Sequence, residues 1–348
     1  MTPRLFGVLI LLWALRGTAR AEVNLDIYAD VDYILRVQSD TTNHFAVPKM
    51  SLLYTQTYGK LSFLAEPLLE VEDTNDFIID LDRLEISYAA EEWLRLKFGR
   101  FHSSVGYYND AYHHAAIFMP TIARPLMVED SGDGLIPGFS VGVHADGRIR
   151  VAQTLAIRYD VELANARGRN PDQTQSLYDL QNEKEFVLRL RIEPGGALDG
   201  LIIGGNLVLN WIPENADLEV NKMTERMYGA HIAYLEHNVH FISELLWVRH
   251  RDRVTDHLYE EYGVFAELGY YVGDLLPFIR YERIHFLDPD GDPFFRDLAE
   301  EFGSFDGVTV GLKWTFDQHL AAKIAGNITW YVDHDTSYQV SLQLAAAF

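Results

Sequence analysis

The chain ends in a strand that needs something apolar beside it. Tyr338, Val340, Leu342, Leu344, Ala346 and Phe348 fall at every second position, with Gln339, Ser341 and Gln343 between them. Successive side chains of an extended segment point to opposite faces, so one face of this segment is wholly apolar. Two environments accept such a face: the core of a β-sandwich, or lipid around a β-barrel. Lipid is the simpler, because it needs no second sheet.

The same alternation recurs along the chain. Val23, Leu25, Ile27, Ala29, Val31, Tyr33, Leu35 and Val37 share a face, opposite Asn24, Asp26, Asp30, Asp32, Arg36 and Gln38. Leu61, Phe63, Ala65, Pro67, Leu69 and Val71 alternate with Ser62, Glu66, Glu70 and Glu72. Pro67 cannot donate to a ladder, so this segment predicts a bulge there. Phe186–Ile192 and Val308–Phe316 repeat the pattern.

The connections sort by length. Short turns are expected at Tyr58–Lys60, Ala90–Glu92, Ala145–Arg148, Pro194–Gly200, Glu236–Asn238, Gly273–Leu275 and Asp317–His319. Longer polar loops are expected at Ser39–Asn43, Asp73–Phe77, His102–Pro137, Ala164–Glu183, Ile212–Glu225, His250–Glu260, His285–Ser304 and Val332–Thr336. A soluble sandwich does not sort its loops this way. A transmembrane barrel does, with short periplasmic turns and long external loops. The expected fold is therefore all-β: one antiparallel barrel of about 16 strands, 14–18 being acceptable, with both ends on the short-turn side.

The beginning of the chain agrees. Arg4 precedes an apolar run from Leu5 to Leu15, too short to span a bilayer as a helix, followed by Ala19-Arg20-Ala21. Residues 1–21 read as a secretory signal peptide, the alternative being a retained anchor; residues 22–348 form the single barrel domain. The net charge is -22, which excludes a nucleic-acid partner and suits a surface beside lipopolysaccharide bridged by divalent cations. With no cysteine, disulfide scaffolds and thiolate metal sites are excluded. The 19 Tyr, 19 Phe and 6 Trp are enough for interfacial girdles.

A barrel this wide holds water, so its inward positions should be polar. The alternation places Arg36, Glu66, Glu70, Arg83, Glu85, Arg95, Lys97 and Arg100 inward in the first part of the chain. Arg189, Arg191, Glu244, Arg280, Glu282 and Lys313 follow in the second. These charges either solvate a wall and pair across strands, or form a pore that filters solutes by its field.

The longest loop, 102–137, follows the fifth expected strand. Tyr107, Tyr108, Tyr112, Phe118 and Met119 make it too apolar for a freely solvated loop. It is expected to fold into the barrel, with a short helix around Asn109–Phe118. Constriction residues would be Asp110, His113, His114, Arg124, Glu129, Asp130 and Asp133, with Arg124 the internal counter-charge.

Two segments carry the family resemblance. The terminal strand closed by Phe348 resembles the tails of Gram-negative outer-membrane β-barrels. Leu96-Lys97-Phe98-Gly99-Arg100-Phe101, followed by Val105 and Gly106, is similar to a strand-end pattern of porin-like barrels related to phosphate-selective porins, with Ser104 where Pro is usual. The resemblance implies a porin fold with an inward loop after the fifth strand. It does not carry phosphate selectivity into so acidic a chain.

Other chemistry has weaker signals. His102, Ser103, Ser104, His113 and His114 are the only cluster suggestive of a hydrolase or a metal site, and no third group at defined spacing completes a triad. Asp288, Asp290 and Asp292, around Pro289 and Gly291, suit a structural Ca2+, although turn chemistry alone explains Asp-Gly. No other cofactor is expected. The function expected is a non-enzymatic, porin-like channel for passive diffusion of small hydrophilic solutes or ions. A sealed structural or adhesive barrel and an outer-membrane hydrolase are the alternatives. Lipid, lipopolysaccharide and, for a trimeric porin, two further copies of the chain are the partners.

Overall fold

Strands account for most of the chain, and each pairs with its sequence neighbour. The computed structural model describes residues 22–36, 43–46, 49–71, 77–113, 116–129, 134–171, 181–288 and 291–348. Residues 1–21, expected to be a signal peptide, lie outside them, as do His114, Asp130, Asp133 and Asp290. The strands are Glu22–Arg36 (β1), His44–Ala46 (β2), Lys49–Tyr58 (β3), Leu61–Val71 (β4), Phe77–Glu91 (β5), Leu94–His102 (β6), Phe139–Ala152 (β7), Leu155–Asn165 (β8) and Lys184–Pro194 (β9). They continue as Leu201–Ile212 (β10), Met223–Tyr234 (β11), Val239–Asp252 (β12), Leu258–Tyr270 (β13), Leu275–Phe286 (β14), Phe305–Thr315 (β15), Leu320–Tyr331 (β16) and Ser337–Ala347 (β17). β2 and β3 both pair with β1 and serve as one strand of the wall. β17 pairs back onto β1, from Tyr28↔Ala347 to Arg36↔Gln339. The result is a closed antiparallel barrel of sixteen strands, with no free sheet edge to manage.

The outward face is a lipid-type surface. Leu25, Ile86, Phe98, Leu163, Leu268, Val310, Leu342 and Leu344 are each roughly half exposed on the outside of the wall. Continuous exposure of this kind is rare on monomeric soluble proteins. Aromatic residues border it at both ends. Tyr88, Trp93, Tyr270, Trp314 and Phe316 lie at the short-turn end, and Tyr228, Trp247, Tyr281, Trp330 and Tyr338 lie toward the long loops. Tyr270 pairs with Val239, so about eight residues of β12 separate its level from that of Trp247. That is roughly 27 Å of strand, or about 20 Å of membrane normal at a tilt of about 40°.

Two local expectations can be checked against the register. A bulge does occur at Pro67, but the extra residue lies opposite it: Glu66 pairs with Arg83 and Pro67 with Leu81, leaving Asp82 over. The expected turn at Ala145–Arg148 is wrong. Those residues lie inside β7, which continues to Ala152, and the turn is at Gln153 and Thr154. Asp-Gly here serves packing. A Cβ on Gly147 would stand 1.9 Å from the Trp93 carbonyl oxygen in the turn between β5 and β6, so only glycine lets the two backbones approach.

The inner wall is not uniformly polar. Val187, Val208, Met223, Met227, Ile242, Leu246, Val248, Phe265 and Ile284 are buried on it and belong to one apolar cluster with the loop after β6. The expectation of a wholly water-lined lumen is corrected for this sector. Its water is replaced by protein.

Candidate functional site

The loop 103–138 supplies that protein. Its root closes on itself: Ser103 N donates to Gly138 O, and Asn109 Nδ2 donates to the carbonyls of both Ser103 and Gly138. Val105, Tyr108, Ile117, Met127, Val128, Leu135 and Ile136 are buried against the apolar sector. The Tyr108 ring meets Phe265 edge to face at 5.6 Å. Each such side chain contributes roughly 1.5–3 kcal/mol when taken from water. The helix expected over Asn109–Phe118 is a single turn, Tyr108–Ala111 (α1). Past it the chain is held by the wall rather than by helical bonds.

A loop packed this deeply must find partners for its backbone. The wall provides them. Glu162 of β8 accepts from Ser104 N at 2.8 Å, and Asn206 of β10 accepts from Gly106 N at 3.2 Å. Glu244 of β12 accepts the N–H groups of Tyr107 and Tyr108 at 3.0 and 2.5 Å. Glu282 of β14 accepts from Leu126 N at 2.9 Å. In the opposite sense, Arg280 donates to Thr121 Oγ1 and Ala123 O, Lys313 to Ile117 O, and Lys323 to Thr121 O at 2.9 Å. Gly106 is required where the loop meets β12, because it has a φ of 76° and a Cβ there would stand 2.3 Å from Glu244 Oε2.

The loop thus seats mainly on β8–β16, touches β1 where Phe118 meets Tyr28 and β6–β7 where His113 meets His102 and Phe139, and leaves a charged sector on β5–β9 facing it. Asp110, at the end of α1, is the acidic group it presents. Arg189 Nη2 lies 2.8 Å from Asp110 Oδ2, and Arg191 Nη1 lies 3.8 Å from it. Asp160 holds the same two arginines from below, at 2.9 and 3.0 Å. Desolvation by the packed loop opposes the Asp110 charge, but Arg189 and then Arg191 outweigh it and hold the carboxyl down at about 2. Arg95 and Lys97 pair with Asp146 at 2.9 and 3.8 Å, and Arg83 with Glu66 at 2.5 Å.

The residues singled out in the sequence therefore separate into groups. Arg83, Glu85, Arg95, Lys97, Arg191 and Asp110 stand on the polar sector. Glu244, Arg280, Glu282 and Lys313 are buried under the loop and serve as its anchors. Arg100 is buried as well: its Nε donates to Asp82 O and its guanidinium lies over the Phe139 ring, 4.4 Å from the centroid. Arg36 is exposed at the long-loop end of β1. The side chain of Glu70 is outside the described residues. Arg124 donates to Asn109 Oδ1 and lies beside His113, which stacks on His102 at 3.8 Å. Glu129 ends a short 3-10 turn over Leu126–Val128. Asp288 and Asp292 are engaged by different histidines, His257 and His250, each contact being 2.5 Å. This divides the carboxylates proposed to share a calcium ion.

No protein-family model and no curated protein matches the chain's sequence. Solved structures do match, over nearly the whole chain. An anion-selective porin from Comamonas acidovorans superposes with a TM-score of 0.66 at 10% identity, covering 94% of this chain and all (100%) of that one. OmpT of Vibrio cholerae in a trimer form gives 0.62 at 9% identity, covering 94% and 99%. OmpF of Salmonella typhi, in complex with daunomycin, gives 0.62 at 15%, covering 94% and 97%. The chain is a porin-like β-barrel of the outer-membrane type. At these identities the likeness defines the fold. The porin-like barrel here keeps its loop after the fifth strand of the wall, β6, and seats it on β8–β16.

Proposed function

We propose that this barrel resides in the outer membrane of a Gram-negative bacterium. There it passes small hydrophilic solutes or ions through the charged sector left between loop 103–138 and the wall β1–β9. The lipid-type outer face and its two aromatic girdles support the location. The observation that carries the channel reading is the asymmetry of the lumen. Among the described residues, apolar packing and backbone anchoring lie mainly on the β8–β16 side, with Tyr28 of β1 meeting Phe118 at its edge, whereas Arg83, Arg95, Lys97 and Asp146 of β5–β7 and Arg191 of β9 remain partly solvated, with Asp110 of the loop facing them. Opposed charges across a narrow passage produce a transverse field that orders dipolar solutes and excludes apolar ones. A chain of net charge -22 should favour cations in that passage at low salt.

The test is single-channel conductance of the refolded barrel in a planar bilayer. Stable steps with a cation-leaning reversal potential are expected. Silence from a chain that still migrates as a heat-modifiable barrel would replace this reading with a sealed barrel. The depth of loop packing is the observation that favours that second reading. By likeness to the trimer form of OmpT, we also propose a homotrimer; a monomeric mass in mild detergent would exclude it.

A further inference from the structure

Above the outer aromatic girdle, on the side of the long loops, lies a cluster the channel does not use. His250 of β12 is fully buried between two carboxylates. Its Nε2 faces Glu225 Oε2 at 2.7 Å, and its Nδ1 faces Asp292 Oδ2 at 2.5 Å. Glu261 of β13 is 1% exposed and meets no N–H or O–H donor; the group beside its carboxyl is the carboxyl of Asp292. Ligand atoms of His250, Glu261 and Asp292 lie within 4.8 Å of one another.

The charges do not balance. Glu225 is compensated by Arg167, whose Nη1 lies 2.6 Å away. Among the described residues, His250 is then the one cationic side chain in contact with Asp292, and Glu261 has only Arg167 acting on it from further off. Two buried carboxylates facing one imidazole require either a bound cation or extra protons. The orientation of the ring can serve the cation. With Nε2–H given to Glu225, the Nδ1 lone pair points at Asp292 and Glu261, and a carboxylate behind the distal nitrogen is the usual support of a metal-bound histidine.

We propose that His250 Nδ1, Asp292 and Glu261 bind a divalent transition metal of the zinc class, with Glu225 positioning the histidine. One imidazole and two carboxylates suit such an ion, and a fourth position is left for water. Access is through a polar cavity among the long loops that Asp252, His257, His285, Asp288, Asp292 and Arg296 line. Asp292 belongs to the loop 287–304, whose Phe294 and Phe295 pack on the His250 ring at 5.4 and 5.2 Å. The ion would therefore clip that loop to the rim of the barrel.

The experiment is zinc binding to the refolded, full-length barrel in detergent, using Zn2+ alone as the probe. One Zn2+ per chain is expected, with a zinc-edge absorption spectrum showing one imidazole among oxygen donors. Glu261→Gln and Asp292→Asn should each weaken binding at least tenfold while keeping heat-modifiable migration. His257→Ala, at an exposed histidine of the same cavity, should leave it unchanged. The thermal midpoint of the parent chain should rise with Zn2+ and fall back with chelator. Absence of stoichiometric zinc, a spectrum without imidazole, or parental binding by Glu261→Gln or Asp292→Asn would overturn the proposal and assign the cluster to shared protons.

Discussion

Arg189 on the wall and Asp110, one turn into the inward loop, meet at 2.8 Å, and this pair ties the start of the loop to β9. Arg189 is nearly fully buried, while the Asp110 side chain keeps 43% of its exposure. The wall residue thus anchors, and the loop residue also faces the charged sector.

Removing the acid should expose the base. Asp110→Asn leaves Arg189 on Asp160 and frees part of the Arg191 charge toward the passage. The reversal potential in a salt gradient should move toward anions, and the shift should shrink at high ionic strength. An unchanged potential would separate Asp110 from the conducting path.

The native chain has no cysteine, so a single introduced thiol reports its own access. Asp110→Cys should react with a small cationic thiosulfonate, and reaction should reduce single-channel conductance. Tyr108→Cys, at a fully buried position, should react slowly or not at all. Equal reaction at both would mean that the loop does not stay packed.

The Glu244 carboxylate accepts two backbone N–H groups that have no helix to satisfy them. Glu244→Ala should cost about 1–3 kcal/mol for each donor left buried and unpaired. Glu244→Gln keeps one carbonyl oxygen and should recover part of that. Denaturant titration in lipid measures the loss, and open-channel noise should rise with it.

Phe265 holds Tyr108 against the apolar sector. Phe265→Ala should destabilise the barrel by about 3–5 kcal/mol, as for a core position in a soluble protein. An effect below about 1 kcal/mol would show that the inner cluster is not a packed core.

The outer face should respond to charge by depth. Leu268→Arg, on the outside of β13 between the girdles, should cost up to about 2–4 kcal/mol in bilayer-folded protein. The same change at Val254, an exposed residue between β12 and β13, should cost little.

Much of this architecture was legible in the sequence, because lipid enforces a strict period. Tyr338–Phe348 alternates cleanly and forms the closing strand. The loop after the fifth strand was legible because its tyrosines had no reason to be in water. Asp146-Gly147 misled because a turn and a close backbone approach both call for glycine. The apolar inner sector was missed for a related reason. Val187, Val208, Leu246 and Phe265 alternate with outward residues that are themselves apolar, so both faces of those stretches read alike. The His250 cluster joins positions 225, 250, 261 and 292, which only the register of β11–β13 and one long loop bring together. No local motif announces it.

A barrel packed on one side and wet on the other divides its tolerance to mutation. Residues under the loop between β8 and β16 are constrained by volume and by backbone acceptors, as in any soluble core. Those on the open sector are constrained chiefly by the field they create. Such a scaffold can drift in what it admits, one charge at a time along β1–β7, without renegotiating the contacts that keep it folded.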